Sequence, residues 1–448
     1  MDDHRRETLI ALGAEALADH MLALGESVDD AAALIHRLTS SPDELLESFT
    51  VKLELLKEEE YWIDWDDTDL FAHRLTLMVD ELVASAVTPE IGLRLVTEFF
   101  LCDEAIMKRC DDSSGVVGNV FTDSLTHLFH TYAKEVKDRQ VVIDALVTLT
   151  LDDKYGVRDT LITHARESLR EDEVRTLIAH FQHMIETSLP ACNFRVVMNM
   201  MGSLAEQIND VDLYEHIILS SFGLLTELSL FTLATMHIER GEFDEALARL
   251  EQIAPGYNYK RNQLLREIYQ GLGNQEQLIA LHKETFDHSK SNKDFEQLIA
   301  VVGESYREEL MKTEIGKIMA NPTFTMAELR LLSDMGNFEE TERYLFKHAD
   351  EVDGDSYYSL LPIAERLIAQ RYYRSATLII RKLLESILRR GYSKAYGHGV
   401  EYLETLDELA LHIDEWAPLE EHSTYKENLY TEHKRKYSFW NQYKGSSR

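Results

Sequence analysis

The residues with the most chemistry to offer lie near the C-terminus. Ser393-Lys394-Ala395-Tyr396-Gly397-His398-Gly399 leads into a helical pattern containing Tyr402, Leu403 and Leu406, and His433-Lys434-Arg435-Lys436 stands just before Phe439-Trp440. Lys394, Arg435 and Lys436 supply cations, His398 and His433 titratable rings, and Tyr396 a phenol. Such a set would surround an anion or contact RNA, with aromatic rings stacking on bases. The same residues have a structural alternative. Trp440 and the tyrosines would close the open end of a helical repeat array, which needs a cap for its last apolar face. No residue is assigned a catalytic role.

A second stretch of interest is Glu58-Glu59-Glu60-Tyr61-Trp62-Ile63-Asp64-Trp65-Asp66-Asp67. Its acids (Glu58, Glu59, Glu60, Asp64, Asp66 and Asp67) are candidates for gripping a basic partner. The plainer expectation is an interhelical loop whose tryptophans plug the core while the acids face water, because large aromatics are usually well buried.

Other constellations fall short of a site. His127 and His130 lie one turn apart, as do His180 and His183, so each pair could share a metal on one helix face, but neither has a cysteine or a third ligand nearby. Cys102, Cys110 and Cys192 make no C-x-x-C, and the first two are expected to pack as small apolar residues. Asp111-Asp112-Ser113-Ser114-Gly115 lacks the alternating acids of a calcium loop and reads as a cap for a helix starting near Val116. Gly316-Lys317 lacks the upstream glycine of a phosphate-binding loop, and Gly271-Leu272-Gly273 lacks the third glycine of a dinucleotide fingerprint. No G-x-S-x-G and no H-E-x-x-H occurs. Neither a metal nor a cofactor is expected.

The elements that must position these residues are helical throughout. Ser41-Pro42-Asp43-Glu44 and Thr325-Met326-Ala327-Glu328 read as capping boxes, and Thr88-Pro89-Glu90 places proline at the first helical position. Leu9, Leu12, Ala16, Leu17 and Leu24 recur at helical spacing. In the second half a helix–turn–helix unit repeats, with turns at Gly241, Gly273, Gly336 and, in place of glycine, Arg371. Their spacings of 32, 63 and 35 residues bracket one or two periods of a tetratricopeptide repeat, about 34 residues; the copy near Gly303 is degenerate. The expected fold is an all-α solenoid of tetratricopeptide-like repeats over residues 191–390, with a helical N-terminal domain over 1–190 and a C-terminal helical cap over 391–448.

The chain has 448 residues, 80 Asp+Glu against 46 Lys+Arg and a net charge of −34, with 44% apolar residues. That apolar share supports a real core and excludes a disordered chain. From Arg371 to Arg448 there are 13 basic and 11 acidic residues, so the rest carries all of the negative excess. Such a body repels nucleic acids and anionic membranes and attracts basic protein surfaces. Direct nucleic-acid contact is expected only through the C-terminal segment. Ile217–Met236 is long enough for a membrane span, but it holds six Ser or Thr and Gly223, and a buried helical hairpin is expected there. With no export signal after Met1, the protein is expected in the cytoplasm.

Four stretches carry a resemblance: Cys110–Gly118, Lys154-Tyr155-Gly156, Ser393–His398 and His433–Trp440. Through them the chain resembles a bacterial family of unknown function, some relatives of which bear the SWIM zinc-finger name. The resemblance implies an all-helical protein with tetratricopeptide-like repeats. The C-x-C and C-x-H pairs of the SWIM motif are missing, so zinc and DNA binding are not implied.

The expected function is an interaction scaffold whose acidic helical-repeat surface binds a basic protein. Two alternatives stay open: a nucleic-acid mimic that occupies a DNA- or RNA-binding protein, and an enzyme or anion-binding protein using the C-terminal Lys/Tyr/His cluster. A homo-oligomer is compatible with either end of the array.

Overall fold

A computed structural model of the chain describes residues 3–187, 194–254, 256 and 258–446. The domain boundary expected at residue 190, and Cys192, lie outside the described residues. Among those described there are 27 α-helices, several of a single turn, and no β-strand beyond one bridged pair, Ile63 with Cys110. The protein is all-α. Contacts gather the chain into two compact units, Met1–Pro255 and Gly256–Arg448.

Local chemistry sets the helix ends. Ser41 Oγ accepts from the Glu44 N–H at 3.4 Å and the Ser41 N–H donates to Glu44 Oε2 at 2.7 Å, so Pro42–Glu58 begins in a full capping box. The expected box at Thr325 is only half made. Thr325 Oγ1 accepts from the Glu328 N–H at 3.2 Å, but the Glu328 carboxylate does not return to Thr325. Instead the Thr325 N–H donates to Tyr344 Oη at 3.0 Å and Tyr344 Oη donates to Glu328 Oε2 at 2.7 Å. The buried Tyr344 hydroxyl needs an acceptor more than the half-buried Thr325 N–H, which Tyr344 itself satisfies, needs the carboxylate, so the glutamate turns inward.

The four repeat turns share one geometry. Gly241, Gly273, Gly336 and Arg371 have φ of 74°, 64°, 73° and 66°. In each, the next amide donates to the carbonyl five residues back: Glu242 to His237, Asn274 to Tyr269, Asn337 to Leu332 and Tyr372 to Leu367, at 2.8–3.0 Å. This is the left-handed C-terminal cap that satisfies the orphan carbonyls of the first helix. A fifth copy escaped the sequence reading. Asn209, 32 residues before Gly241, has φ 50°, and Asp210 donates to Ala205 at 3.0 Å. Five residues past each turn a buried side chain (Tyr214, Ala246, Leu278, Thr341, Ala376) packs the second helix on the first. Gly303, with φ 103° and ψ 148°, makes no such turn.

Arginine pays a steric cost at φ 66° that glycine does not. Arg371 is exposed, so Arg371→Gly is expected to stabilise the protein by about 0.5–1 kcal/mol in urea unfolding. An unchanged or lower midpoint would show that the arginine side chain makes a compensating contact.

In the first unit, Phe49, Phe99, Phe121, Phe100 and Phe129 run through the core as a chain of ring contacts at 6.0–6.4 Å. All five are fully buried, each contributing about 1.5–3 kcal/mol of hydrophobic free energy. In the second unit the Tyr373–Arg390 helix is central. Of its 18 residues 12 are buried, on every side, and it packs between Tyr357–Ala369 and Tyr396–Ala410.

Ile217–Met236 is not one span. Val211–Phe222 ends at Gly223 in the left-handed conformation, and Glu227–Glu239 follows. The hairpin turn is exposed rather than buried, with Phe222, Leu224 and Leu228 at 42%, 58% and 68% exposure. Among the described residues no single helix is long and apolar enough to cross a membrane; only the pair Arg6–Leu12 and Ala14–Gly25 reaches that length together, and it is bent by 103°.

Candidate functional site

Two surfaces combine shape with unspent chemistry, one in each unit. In the first unit the loop after Pro42–Glu58 runs extended before the short turn Trp65–Asp67 and the helix Thr68–Ala84. Ile63 pins it: its N–H donates to Arg109 O at 2.8 Å and its carbonyl accepts from the Asp111 N–H at 3.0 Å. Successive side chains of an extended segment point to opposite sides. With Ile63 buried at 2% exposure, Trp62 and Asp64 must face out. Trp62 is accordingly 59% exposed and Trp65, two residues beyond Ile63 where the chain turns into the helix, 57%. The expectation that these tryptophans plug the core is therefore overturned: Ile63 is the plug.

Beneath the loop Arg109 is buried, its guanidinium 5.0 Å from the Tyr61 ring centroid and 5.5 Å from that of Phe71. Glu59 balances it at 3.1 Å and also pairs with Arg74 at 2.8 Å. Glu59 is thus spent on the fold. Glu58, Glu60, Asp64, Asp66 and Asp67 are exposed, and none of them forms an ion pair among the described residues. Asp64 accepts from Trp62 Nε1 at 2.9 Å, which fixes the indole. The result is a groove of about 390 Å³ with Tyr61, Trp62, Leu70, Phe71 and Leu77 along it and Asp67, His73 and Arg74 also lining it, Arg74 being held by Glu59 and the Tyr61 hydroxyl.

The C-terminal candidates separate in space. Tyr396 is buried with its ring edge-on to Phe439 at 5.8 Å, and His433 is buried too, its carbonyl accepting from Trp440 Nε1 at 3.0 Å. Burial pushes the His433 imidazole down in pKa. Both belong to the packing of the last two helices, His422–His433 and Tyr437–Ser446. Asp407 latches the same helices, accepting from His422 Nε2 at 2.7 Å and Lys426 Nζ at 2.6 Å and from the Tyr443 hydroxyl. Burial raises its pKa, but those three bonds outweigh it and hold the carboxyl below its usual range. Arg435 lies on the surface.

Lys394 and His398 do come together. They line a cleft of about 370 Å³ with Arg390 and three tyrosines, Tyr357, Tyr392 and Tyr402, over a floor of buried Leu383 and Ile387. Gly354 at its edge has no room for a side chain, since a Cβ there would stand 1.9 Å from the Lys382 carbonyl oxygen. That close approach lays the loop against the central helix and sets Tyr357 over the cleft. Lys436 reaches the same neighbourhood, its Nζ 3.4 Å from where a Cβ of Gly391 would be. Tyr402 belongs to the helical pattern already singled out after Gly399, whereas Arg390, Tyr357 and Tyr392 were missed in the sequence because they precede the Ser393–His398 motif and share no pattern with it.

The remaining candidates resolve as structure. His127 is exposed and His130 buried, with His130 Nδ1 on Ser168 Oγ at 2.9 Å, so the pair does not converge. Among the described residues no three His, Cys, Asp or Glu side chains gather as metal ligands would. Asp112 caps as expected, accepting from the N–H groups of Val117 and Gly118 at 2.9 and 2.8 Å.

The helix pairs and their shared turns define an all-helical protein whose distinctive chemistry lies on its surfaces. The chain belongs to a family of unknown function, DUF6880, whose model matches residues 5–199 and 192–442. No curated protein matches it.

Proposed function

We propose that this protein is an interaction scaffold and that the Tyr61–Asp67 groove holds a basic segment of a protein partner. One observation carries the reading: Trp62 and Trp65, both more than half exposed, share one loop with five exposed acids that form no ion pair among the described residues, and Trp62 and Asp67 line the groove itself. Exposed Trp and Tyr anchors flanked by charge are the usual composition of a binding hot spot. The acids would steer a Lys- or Arg-bearing segment, and the groove would seat an aliphatic or aromatic side chain from it. The helix pairs support the scaffold. Five matching turns favour tetratricopeptide-like repeats within 191–390, between a helical 1–190 region and a 391–448 cap, and repeats of this kind present extended binding faces.

The test is capture from the native host by the tagged full chain, nuclease-treated, with wild type and a Trp62→Ala/Trp65→Ala variant side by side. A stoichiometric basic partner should remain at low salt, leave as salt rises, and be lost from the variant. Removing two such anchors is expected to weaken binding by at least about 2 kcal/mol, roughly thirtyfold, with thermal stability unchanged because neither indole is in the core. A partner retained equally by both proteins would refute the groove. A partner that itself binds nucleic acid, and releases this protein when nucleic acid is added, would make the scaffold a nucleic-acid mimic.

A further inference from the structure

The cleft beside Lys394 differs in chemistry from everything around it. The chain carries a net charge of −34, yet this cleft is lined by Arg390 and Lys394 and by no acid, with Asp355, Glu365 and Glu401 standing around it. Asp355 lies 3.7 Å from Arg389 and 3.6 Å from Arg390, and Glu401 lies 3.2 Å from His398 Nδ1. The two lining cations match a phosphate monoester, which carries about −1.5 to −2 at neutral pH. Lys394 is exposed, and no acid lies within ion-pair distance of it among the described residues.

The other half of the cleft is aromatic and apolar. Tyr392 is 57% exposed, Tyr402 half-buried, and the Tyr357 ring packs on Tyr358 with centroids 4.0 Å apart. Leu383 and Ile387 close the floor. Aromatic side chains over an apolar floor accept the face of a planar ring, worth about 1–3 kcal/mol per stacked base. The volume of about 370 Å³ falls at the small-molecule end of ligand pockets.

We propose that this cleft binds a small phosphate monoester carried on a planar ring, a nucleoside monophosphate being the plainest example. Lys394 and Arg390 take the phosphate, a His398 ring N–H donates to it, and the tyrosines take the ring. The inference rests on residues of the second unit alone and is independent of the groove reading.

Isothermal titration of the full chain tests it, with AMP, GMP, CMP and UMP as ligands and adenosine and inorganic phosphate as halves. At least one monophosphate should bind about tenfold or more tighter than either half. Lys394→Gln should weaken that binding about tenfold or more, the loss expected of one charge-assisted bond. Tyr392→Ala should weaken it about fivefold or more. Both side chains are exposed, so unchanged melting curves should accompany the losses. No binding of any of the four at millimolar concentration overturns the proposal. So does a Lys394→Gln protein that binds like wild type, or inorganic phosphate that binds as well as the nucleotides and so marks an anion site without a ring.

Discussion

Asp103→Ala is expected to destabilise the first unit by about 3–5 kcal/mol, a fall in Tm of roughly 6–20 °C for a unit of this size. Asp103 and Arg158 are 1% and 4% exposed at the side chain. Arg158 Nε donates to Asp103 Oδ2 at 2.7 Å, its Nη2 to Asp103 Oδ1, and its Nη1 to the Leu149 carbonyl at 3.1 Å. Burial pushes the Asp103 carboxyl above its usual pKa even with the guanidinium against it. The pair is therefore costly to bury and more costly to break, because alanine would leave a buried cation with one neutral acceptor. It also stands next to two of the stretches that carry the family resemblance, which meet beside Arg158. Asp153 accepts from the Gly156 and Arg158 N–H groups at 2.8 Å, and Val157 Cγ1 lies 3.7 Å from where a Cβ of Gly118 would be. Replacing both partners, Asp103→Leu with Arg158→Met, should recover most of the loss, since an apolar pair of similar volume needs no desolvation. Urea unfolding of the single and double variants measures the coupling; additive losses would show that the two residues do not depend on each other.

The second large effect is on pH. His130 is 2% exposed, and burial first, then the neighbouring His164 and His127, push its pKa down to about 4 from 6.5. Between those values the unfolded chain binds a proton that the folded one refuses. The stability this group contributes is thus complete above about pH 6.5 and lost as pH falls towards 4, a total of about 3 kcal/mol. Other groups also titrate in this range, so the informative comparison is with His130→Gln, which keeps a neutral polar side chain beside Ser168. Between about pH 7 and about pH 4.5 the wild type should lose about 2–3 kcal/mol more than the variant. Parallel profiles would mean that His130 is protonated in the folded state.

What could be read in advance, and what could not, divides along the range of the forces involved. Helix starts at Ser41, the Asp112 cap and the turns at Gly241, Gly273, Gly336 and Arg371 depend on neighbours within a few residues, and all were legible. Asn209 was legible in principle, since asparagine tolerates positive φ and the 32-residue spacing was already present, but it carries no glycine to mark it. Glu328 shows the limit of local logic, because a capping box written in four residues gave way to a hydroxyl 16 residues further on.

By itself, then, the order of amino acids determined an all-helical chain, its turn geometry and its uneven charge, each set by backbone preference, short-range hydrogen bonding or a count of ionisable groups. Only the tertiary structure decided which side chains face water. One parallel bridge to Arg109 and Asp111 buried Ile63 and so exposed Trp62. Packing around Tyr373–Arg390 drew Tyr396 inward and left Lys394 and His398 outside, on a cleft whose other walls come from separate helices. Burial is a property of surfaces that meet across long stretches of chain, and no window of a few residues contains it.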